Sequence, residues 1–217
     1  MIIDKNTLLF GSFSKKAGSV GCKLFNTSFQ FHNINAIYKS FSVENIDQAI
    51  TSAKCLRFSG FGVSMPFKTE IIKYIDNIDE NVKKTNSCNT VINKNNILYG
   101  YNTDYMAVKE FLIEFKHNTE KKFYILGNGS YSKTVQICCQ ELGIDYTLIT
   151  RNNWDYIKKI KNSTIFNCTP VENVFRCDIE TNRFIDCINT TKTGYILAKK
   201  QAVIQYKLYT NKTFPLI

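Results

Sequence analysis

The chain has 217 residues, 44% of them hydrophobic and 21% charged, a globular balance that excludes a disordered or fibrous protein. No apolar run approaches the roughly 20 residues that cross a bilayer, which excludes a membrane-spanning chain. The formal net charge of +10 points to an anionic partner, but the basic residues are dispersed, so charge alone speaks for nucleic acid.

Residues 7–10 read as a short strand closed by Gly11, residues 22–31 as a helix, and the alternating stretch 35–41 as a second strand. Residues 43–56 carry Val43, Ile46, Ala49, Ile50 and Ala53 at helical spacing. Residues 60–66 read as a third strand ended by Pro66, and residues 69–75 as a short helix. Residues 89–93 and 97–101 flank Lys94-Asn95-Asn96 as a hairpin, and a helix over 104–115 follows.

At residue 121 the character changes, which suggests a boundary near 120. Residues 121–126 form a compact apolar run, as a buried parallel strand does. The run enters Gly127-Asn128-Gly129-Ser130, then a helical pattern over 133–142 ended by Gly143, then a strand over 145–150. Two more strands read at 164–168 and 183–188. The alternation predicts α/β architecture with a doubly wound parallel sheet.

Gly127 and Gly129 stand where a strand turns into a helix. The first permits a tight turn and the second lets backbone approach a pyrophosphate, while Ser132 takes the place of the usual third glycine. An ordinary strand-to-helix turn is the plainer alternative. An NAD site places a carboxylate about 20 residues past the turn. Here Thr150-Arg151-Asn152-Asn153 offers a guanidinium and neutral hydrogen-bonding groups instead, which favours the 2′-phosphate of NADP.

Two clusters precede residue 110: Gly60-Phe61-Gly62-Val63-Ser64-Met65-Pro66-Phe67-Lys68, and Ser87-Cys88-Asn89-Thr90-Val91 followed by Gly100-Tyr101-Asn102-Thr103-Asp104-Tyr105. Lys68 and Asp104 suit a proton-transfer pair. On residue type alone, a solvated lysine and a helix-capping aspartate are the simpler readings. The cysteines at 22, 55, 88, 138, 139, 168, 177 and 187 include no CxxC pair. With only His32 and His117 beside them, they read as free thiols in a reducing, cytoplasmic compartment, with no metal. The N-terminus has no charged region leading into an apolar stretch, so no secretory signal is expected.

In order and approximate spacing, residues 60–68, 87–90, 102–104, 127–132 and 167–170 resemble the shikimate dehydrogenase family. The family patterns are roughly N-V-T-x-P-x-K, A-V-N-T, N-T-D, G-x-G-G-x-[AG] and N-x-T-P. The wording Gly-Phe-Gly-Val-Ser-Met-Pro-Phe-Lys and Tyr-Asn-Thr-Asp-Tyr is more similar to the shikimate dehydrogenase-like branch than to the biosynthetic one.

The resemblance implies an N-terminal α/β substrate domain over 1–105, rejoined by a C-terminal helix at 194–210, and a Rossmann NADP domain over 106–193. It implies NADP-dependent interconversion of shikimate and 3-dehydroshikimate, or of a close analogue such as quinate. Lys68 and Asp104 match the catalytic pair. Asn89 and Gln201 match residues that hold the ring hydroxyls, and Ser19, Lys23, Ser64 and Thr103 fall at substrate-binding positions. Gly127, Asn128, Gly129, Ser130, Thr150, Arg151, Asn152 and Thr169 fall at cofactor positions. The expected partner is a small hydroxy acid, with neither nucleic acid nor membrane, in a monomer or homodimer.

The chain also departs from the pattern. The usual S-x-S pair for the substrate carboxylate is missing from residues 15–23, where Ser19 is the clear hydroxyl and Lys23 a charge partner. Gly62 stands for an asparagine, Glu172-Asn173 for G-M and Asn189 for a tyrosine, and a helix and strand are absent before Thr193-Gly194. These changes fall on carboxylate recognition and on the nicotinamide end. They leave open a reduced, weakly active or inactive nucleotide-binding relative with a regulatory role.

Overall fold

The strand β1 (Leu8–Ser14) leads through α1 (Val20–Phe31) to β2 (Ala36–Ser42), and through α2 (Ile46–Cys55) to β3 (Gly60–Val63). A 3-10 turn (Glu70–Tyr74), β4 (Asn77–Ile78) and α3 (Glu80–Thr85) precede the hairpin of β5 (Thr90–Lys94) and β6 (Ile97–Tyr101). Then come α4 (Thr103–Phe115), β7 (Phe123–Leu126), α5 (Ser130–Glu141) and β8 (Tyr146–Ile149). A 3-10 stretch (Arg151–Lys159), β9 (Thr164–Asn167), β10 (Arg183–Asp186) and α6 (Lys192–Thr210) complete the chain. The computed structural model describes residues 3–115, 121–171 and 180–215, so His117, Glu172-Asn173 and Cys177 lie outside the described residues.

Packing divides the chain into one unit of Met1–Thr103 with Ala202–Ile217, and a second of Asp104–Gln201. The first holds a six-stranded sheet in the order β2-β1-β3-β5-β6-β4. β2, β1 and β3 are parallel, and β5 pairs antiparallel with β3 and β6. Asn95 and Asn96 turn the hairpin at φ 53° and 67°, a left-handed conformation that asparagine tolerates.

One face of this sheet packs Phe13, Phe61, Val63 and Val91 against Ile46, Ala49, Ile50 and Ala53 of α2. The other packs Phe10, Ala36 and Tyr38 against Phe25 and Phe29 of α1 and against Ala202 and Tyr206 of α6. Helices on both faces explain why β3 is buried along its whole length.

The second unit is a four-stranded parallel sheet, β10-β9-β7-β8. The chain runs from β7 outward to β8, then returns past β7 to β9 and β10. This reversal leaves a switch point between the carboxyl ends of β7 and β9, where open α/β sheets bind ligands. On one face Phe123, Ile125, Phe166 and Ile185 pack with Tyr105, Val108, Phe111 and Leu112 of α4, Val135 and Cys138 of α5, and Leu197 of α6. That apolar stripe on α4 places the helix with the second unit. The division therefore falls at the helix start rather than near residue 120.

Three expectations shift. The helix read at 69–75 is a 3-10 turn, with Ile72 N–H bonded to Thr69 O at 3.4 Å and Ile75 N–H to Ile72 O at 3.2 Å. The helix α3 goes unread because Val82 is its lone apolar residue. Its capping is clear, since Asp79 accepts from Val82 N–H at 2.8 Å and Asn86 ends it at φ 49°. The crossover from β8 to β9 is a 3-10 stretch whose Trp154, Ile157 and Ile160 recur every third residue and pack under Tyr124, Leu126, Ile149 and Ile165.

Candidate active site

In the first unit, β3 delivers the segment from Ser64 to Lys68. Val63 N–H bonds Asn89 O at 2.8 Å, and Cys88 N–H bonds Lys68 O at 2.8 Å, so Lys68 is held against the residue preceding Asn89. Asn89 is nearly buried, and its Oδ1 accepts from the Thr103 N–H at 2.8 Å and the Thr103 hydroxyl at 3.1 Å. These donors fix the amide's orientation. The amide Nδ2 is left as a donor with no partner among the described residues. Thr103 itself is fully buried, and its hydroxyl also meets that of Thr90 at 2.9 Å. It therefore positions Asn89 rather than presenting a hydroxyl to solvent, unlike the substrate contact expected of it.

Ser64 is exposed at the end of β3, and Ser19 is exposed at the N-cap of α1, where its side chain makes no capping bond. Lys23 is exposed in the first turn of α1. A side chain at Gly62 would start 3.0 Å from Gln205 Nε2 and 3.2 Å from the Tyr38 hydroxyl. The family's asparagine would require the Gln205 or Tyr38 side chain to give way. Burial pushes the Cys88 thiol up to about 12, which removes it as a nucleophile.

The helix α4 begins with Thr103, and Asp104 opens the second unit, in which Gln201 lies half-buried in α6. The turn Gly127-Asn128-Gly129 links β7 to α5 at the switch point. Gly127 has φ +98°, and a Cβ on it would lie 2.7 Å from Thr169 Cγ2. Glycine is required here on both counts. Open space surrounds the Cβ position of Gly129, as close approach of a phosphate demands. Ser132, in place of the third glycine, is buried and donates to Gly127 O at 2.7 Å, tightening the turn. These features fit a dinucleotide pyrophosphate at the amino end of α5.

Thr169 is set by Asn167, whose Oδ1 accepts from Thr169 N–H at 3.0 Å and from its hydroxyl at 2.7 Å. After β8, Thr150 N–H donates to Asn153 Oδ1 at 2.6 Å, and Asn152 N–H to Thr150 Oγ1 at 3.4 Å. The Thr150 and Asn153 side chains thus cap the 3-10 stretch, while Arg151 is exposed with no ion pair or hydrogen bond among the described residues.

Asn153 and Asn167 are organising residues outside the expected site set. The motif N-x-T-P already contained the signal for Asn167. Tyr131 is a third. Burial raises its phenol pKa well above the ordinary value, and the Asp104 carboxylate adds to the shift.

A cavity of about 430 Å³, lined by Lys121, Tyr124, Tyr146 and Tyr156 among others, opens at the amino ends of β7 and β8. It sits at the opposite end of the sheet from the glycine turn. Among the described residues, no group of three or more His, Cys, Asp or Glu is arranged to hold a metal. No described helix is long and apolar enough to cross a membrane.

A family model described as the shikimate dehydrogenase substrate binding domain matches residues 16–91. A shikimate dehydrogenase-like protein of Haemophilus influenzae is 31% identical over 70% of this chain and 56% of its own length. The chain thus spans little more than half of that relative. The shikimate dehydrogenase (NADP(+)) of Caldanaerobacter subterraneus subsp. tengcongensis is 31% identical over 89% of this chain and 71% of its own. Among solved structures, a shikimate 5-dehydrogenase-like protein superposes with a TM-score of 0.82 at 24% identity, covering 99% of this chain and 95% of that one, a likeness of fold.

Proposed function

The chain belongs to the shikimate dehydrogenase family, and from that premise we propose that it interconverts shikimate and 3-dehydroshikimate, or a close polyol acid such as quinate and its ketone, with NADP. One observation carries the reading. Lys68 and Asn89 are tied through the Cys88 N–H, and Asn89 is tied through Thr103 to the start of α4, where Asp104 follows directly in the chain.

When bound, NADP supplies or accepts the hydride. The protein's part is to move the hydroxyl proton and to orient the ring. In this reading Lys68 takes or returns the proton of the reacting oxygen, and its ammonium offsets developing alkoxide charge. Asp104 favours the charged lysine and accepts from a neighbouring ring hydroxyl. The Asn89 Nδ2 is the donor left over from its structural bonds, and Gln201 contributes a second carboxamide. Ser19 and Lys23 serve the carboxylate.

Gly127, Asn128, Gly129, Ser130 and Thr169 would hold the pyrophosphate, and Arg151 the 2′-phosphate. Seven described cysteines are free thiols, which fits a reducing, cytoplasmic setting.

The test is fluorescence of NADPH on adding protein, followed by absorbance at the nicotinamide band with shikimate and then quinate. Binding with turnover of either acid supports the reading. Binding without turnover would leave a nucleotide-binding relative, and no binding would remove both.

A further inference from the structure

The strands β9 and β10 run parallel, with Asn167 opposite Asp186 as their last pair. The register continues one step further, since Cys187 N–H donates to Asn167 O at 3.1 Å. That step sets Cys168 beside Cys187 at the carboxyl ends of the two strands. Two residues earlier, Phe166 and Ile185 face the side of the sheet covered by α4 and α5, and by the period of two the cysteines share that side. Both pack against the same apolar cluster, and both are half-buried.

Side-chain placement agrees with the register. The Cys187 thiol donates to the carbonyl of Thr169, the residue after Cys168, at 3.9 Å. Burial is the first cause that pushes the Cys168 thiol well above its ordinary value, and the Cys187 thiol is the next. Neighbouring parallel strands stand about 4.8 Å apart. That spacing falls inside the Cα separation of about 4.4–6.8 Å that a disulfide spans. A relaxed disulfide holds its Cβ atoms about 3.8 Å apart, nearer than the strands stand, so closing the bond draws the two strand ends together.

We propose that Cys168 and Cys187 are a redox-modification site, joined by a reversible disulfide when a small hydroperoxide reacts with the pair. Reaction requires a thiolate, and Cys168 is the thiol that burial keeps protonated, so Cys187 reacts first. Its thiolate gives an electron pair to one peroxide oxygen, which breaks the O–O bond and leaves a sulfenic acid, while the other oxygen departs and is protonated. The Cys168 sulfur then displaces hydroxide from the sulfenic sulfur, and the Cys168 proton leaves with it as water. Two thiols are oxidised and one peroxide bond is reduced. A dithiol reverses the step, and a bond that pulls on its strands is the more readily reduced kind.

The bond acts on the glycine turn. Cys168 N–H donates to Leu126 O at 3.0 Å, one residue before Gly127, and Thr169 Cγ2 lies 2.7 Å from the Cβ position of Gly127. In the sheet order, β9 lies between β7 and β10. Drawing Cys168 toward β10 therefore draws it and Thr169 away from β7 and loosens the turn. This consequence rests on the dinucleotide reading above, whereas the bond itself does not.

The experiment treats the native full chain with hydrogen peroxide, removes the peroxide, alkylates the remaining thiols and maps peptides by mass spectrometry without reduction. The expected result is a linked pair of peptides carrying Cys168 and Cys187, lighter by two hydrogens and separated by dithiothreitol. NADPH titration of the oxidised chain should show affinity about three- to tenfold weaker, the scale of one lost hydrogen bond, and dithiothreitol should restore it. Cys187→Ala should form no linked pair, and its NADPH affinity should not respond to peroxide.

Oxidation confined to Cys55, or a bond from Cys168 to any other cysteine, would overturn the pair; the wild-type map decides this whether or not the variant folds. A Cys168–Cys187 bond with unchanged NADPH affinity would overturn its effect on the turn. A reduced chain that binds no NADPH would overturn the dinucleotide reading, while the linked peptides would still decide the pair.

Discussion

Asn89 Oδ1 accepts both the backbone N–H of Thr103, at 2.8 Å, and its hydroxyl, at 3.1 Å. One side-chain oxygen thus satisfies the first orphan donor of α4 and settles which way the amide faces. The nitrogen end makes no hydrogen bond among the described residues. The motifs containing Asn89 and Thr103 are 14 residues apart in sequence and act here as one structural part.

Replacing Asn89 by alanine removes the acceptor that the fully buried Thr103 N–H uses here. A buried donor without a partner costs about 1–3 kcal/mol. For a chain of this size that lowers the melting temperature by about 2–4 °C per kcal/mol. Thermal unfolding of Asn89→Ala reads this directly, and an unchanged melting temperature would mean that the bond does not hold the helix start.

Gly127→Ala combines a left-handed backbone with a Cβ placed 2.7 Å from Thr169 Cγ2. The conformation alone costs about 1–2 kcal/mol for a residue with a Cβ. The turn should shift, and NADPH affinity by fluorescence titration should fall about tenfold. Adding Thr169→Ser removes the clashing methyl but not the backbone strain, so the double variant should recover part of the loss. Full NADPH affinity in Gly127→Ala would show that the phosphate does not rest on this turn.

Arg151 tests the choice of dinucleotide. It is exposed and unpaired among the described residues, beside a cap that occupies the Thr150 and Asn153 side chains with backbone bonds. Arg151→Ala should weaken NADP binding about tenfold or more, the scale of a charge-assisted bond, and leave NAD binding nearly unchanged. Equal losses for the two would remove Arg151 from phosphate recognition.

The thiols differ in reach and in ionisation. Cys55 is exposed, whereas burial pushes the thiols of Cys88 and Cys139 up to about 12. Reaction requires the thiolate. Brief alkylation of the native protein, followed by mass spectrometry, should mark Cys55 and spare Cys88 and Cys139 until denaturant is added. Early labelling of Cys88 would mean that the Lys68–Asn89 segment opens in solution.

Elements with a strong apolar period were legible in the sequence. The helix α2 shows Ile46, Ala49, Ile50 and Ala53 on one buried face, and β7 is a four-residue apolar run buried on both faces. Elements held by polar caps rather than by apolar faces were not, as α3 shows with its Asp79 cap and left-handed Asn86. The 3-10 stretch after β8 hid because Trp154, Ile157 and Ile160 keep a period of three, which a search for the α-helical period passes over.

At the site, the glycine turn and the lysine segment were readable as motifs. The role of Thr103 was not, because a threonine offered to a ligand and one spent on Asn89 have the same letter.

The last prediction concerns Lys68 and Asp104. Lys68→Ala should lower turnover about 10²–10⁴-fold, the range for a lost general acid or base. NADPH affinity should stay nearly unchanged, since the glycine turn that fits the cofactor lies in the second unit. Asp104→Asn should lower turnover and also raise KM for the acid, because the carboxylate serves both the lysine and a ring hydroxyl. Two groups that act as a unit lose their function together, so the double variant should fall far short of the product of the single losses. Asp104 also adds to the upward shift of the Tyr131 phenol, so Asp104→Asn should lower the titration of that phenol toward its ordinary value, which NMR of ring-labelled tyrosine can follow. Near-normal turnover in Lys68→Ala, or losses in the double variant that multiply, would show that the two do not share one proton-transfer step.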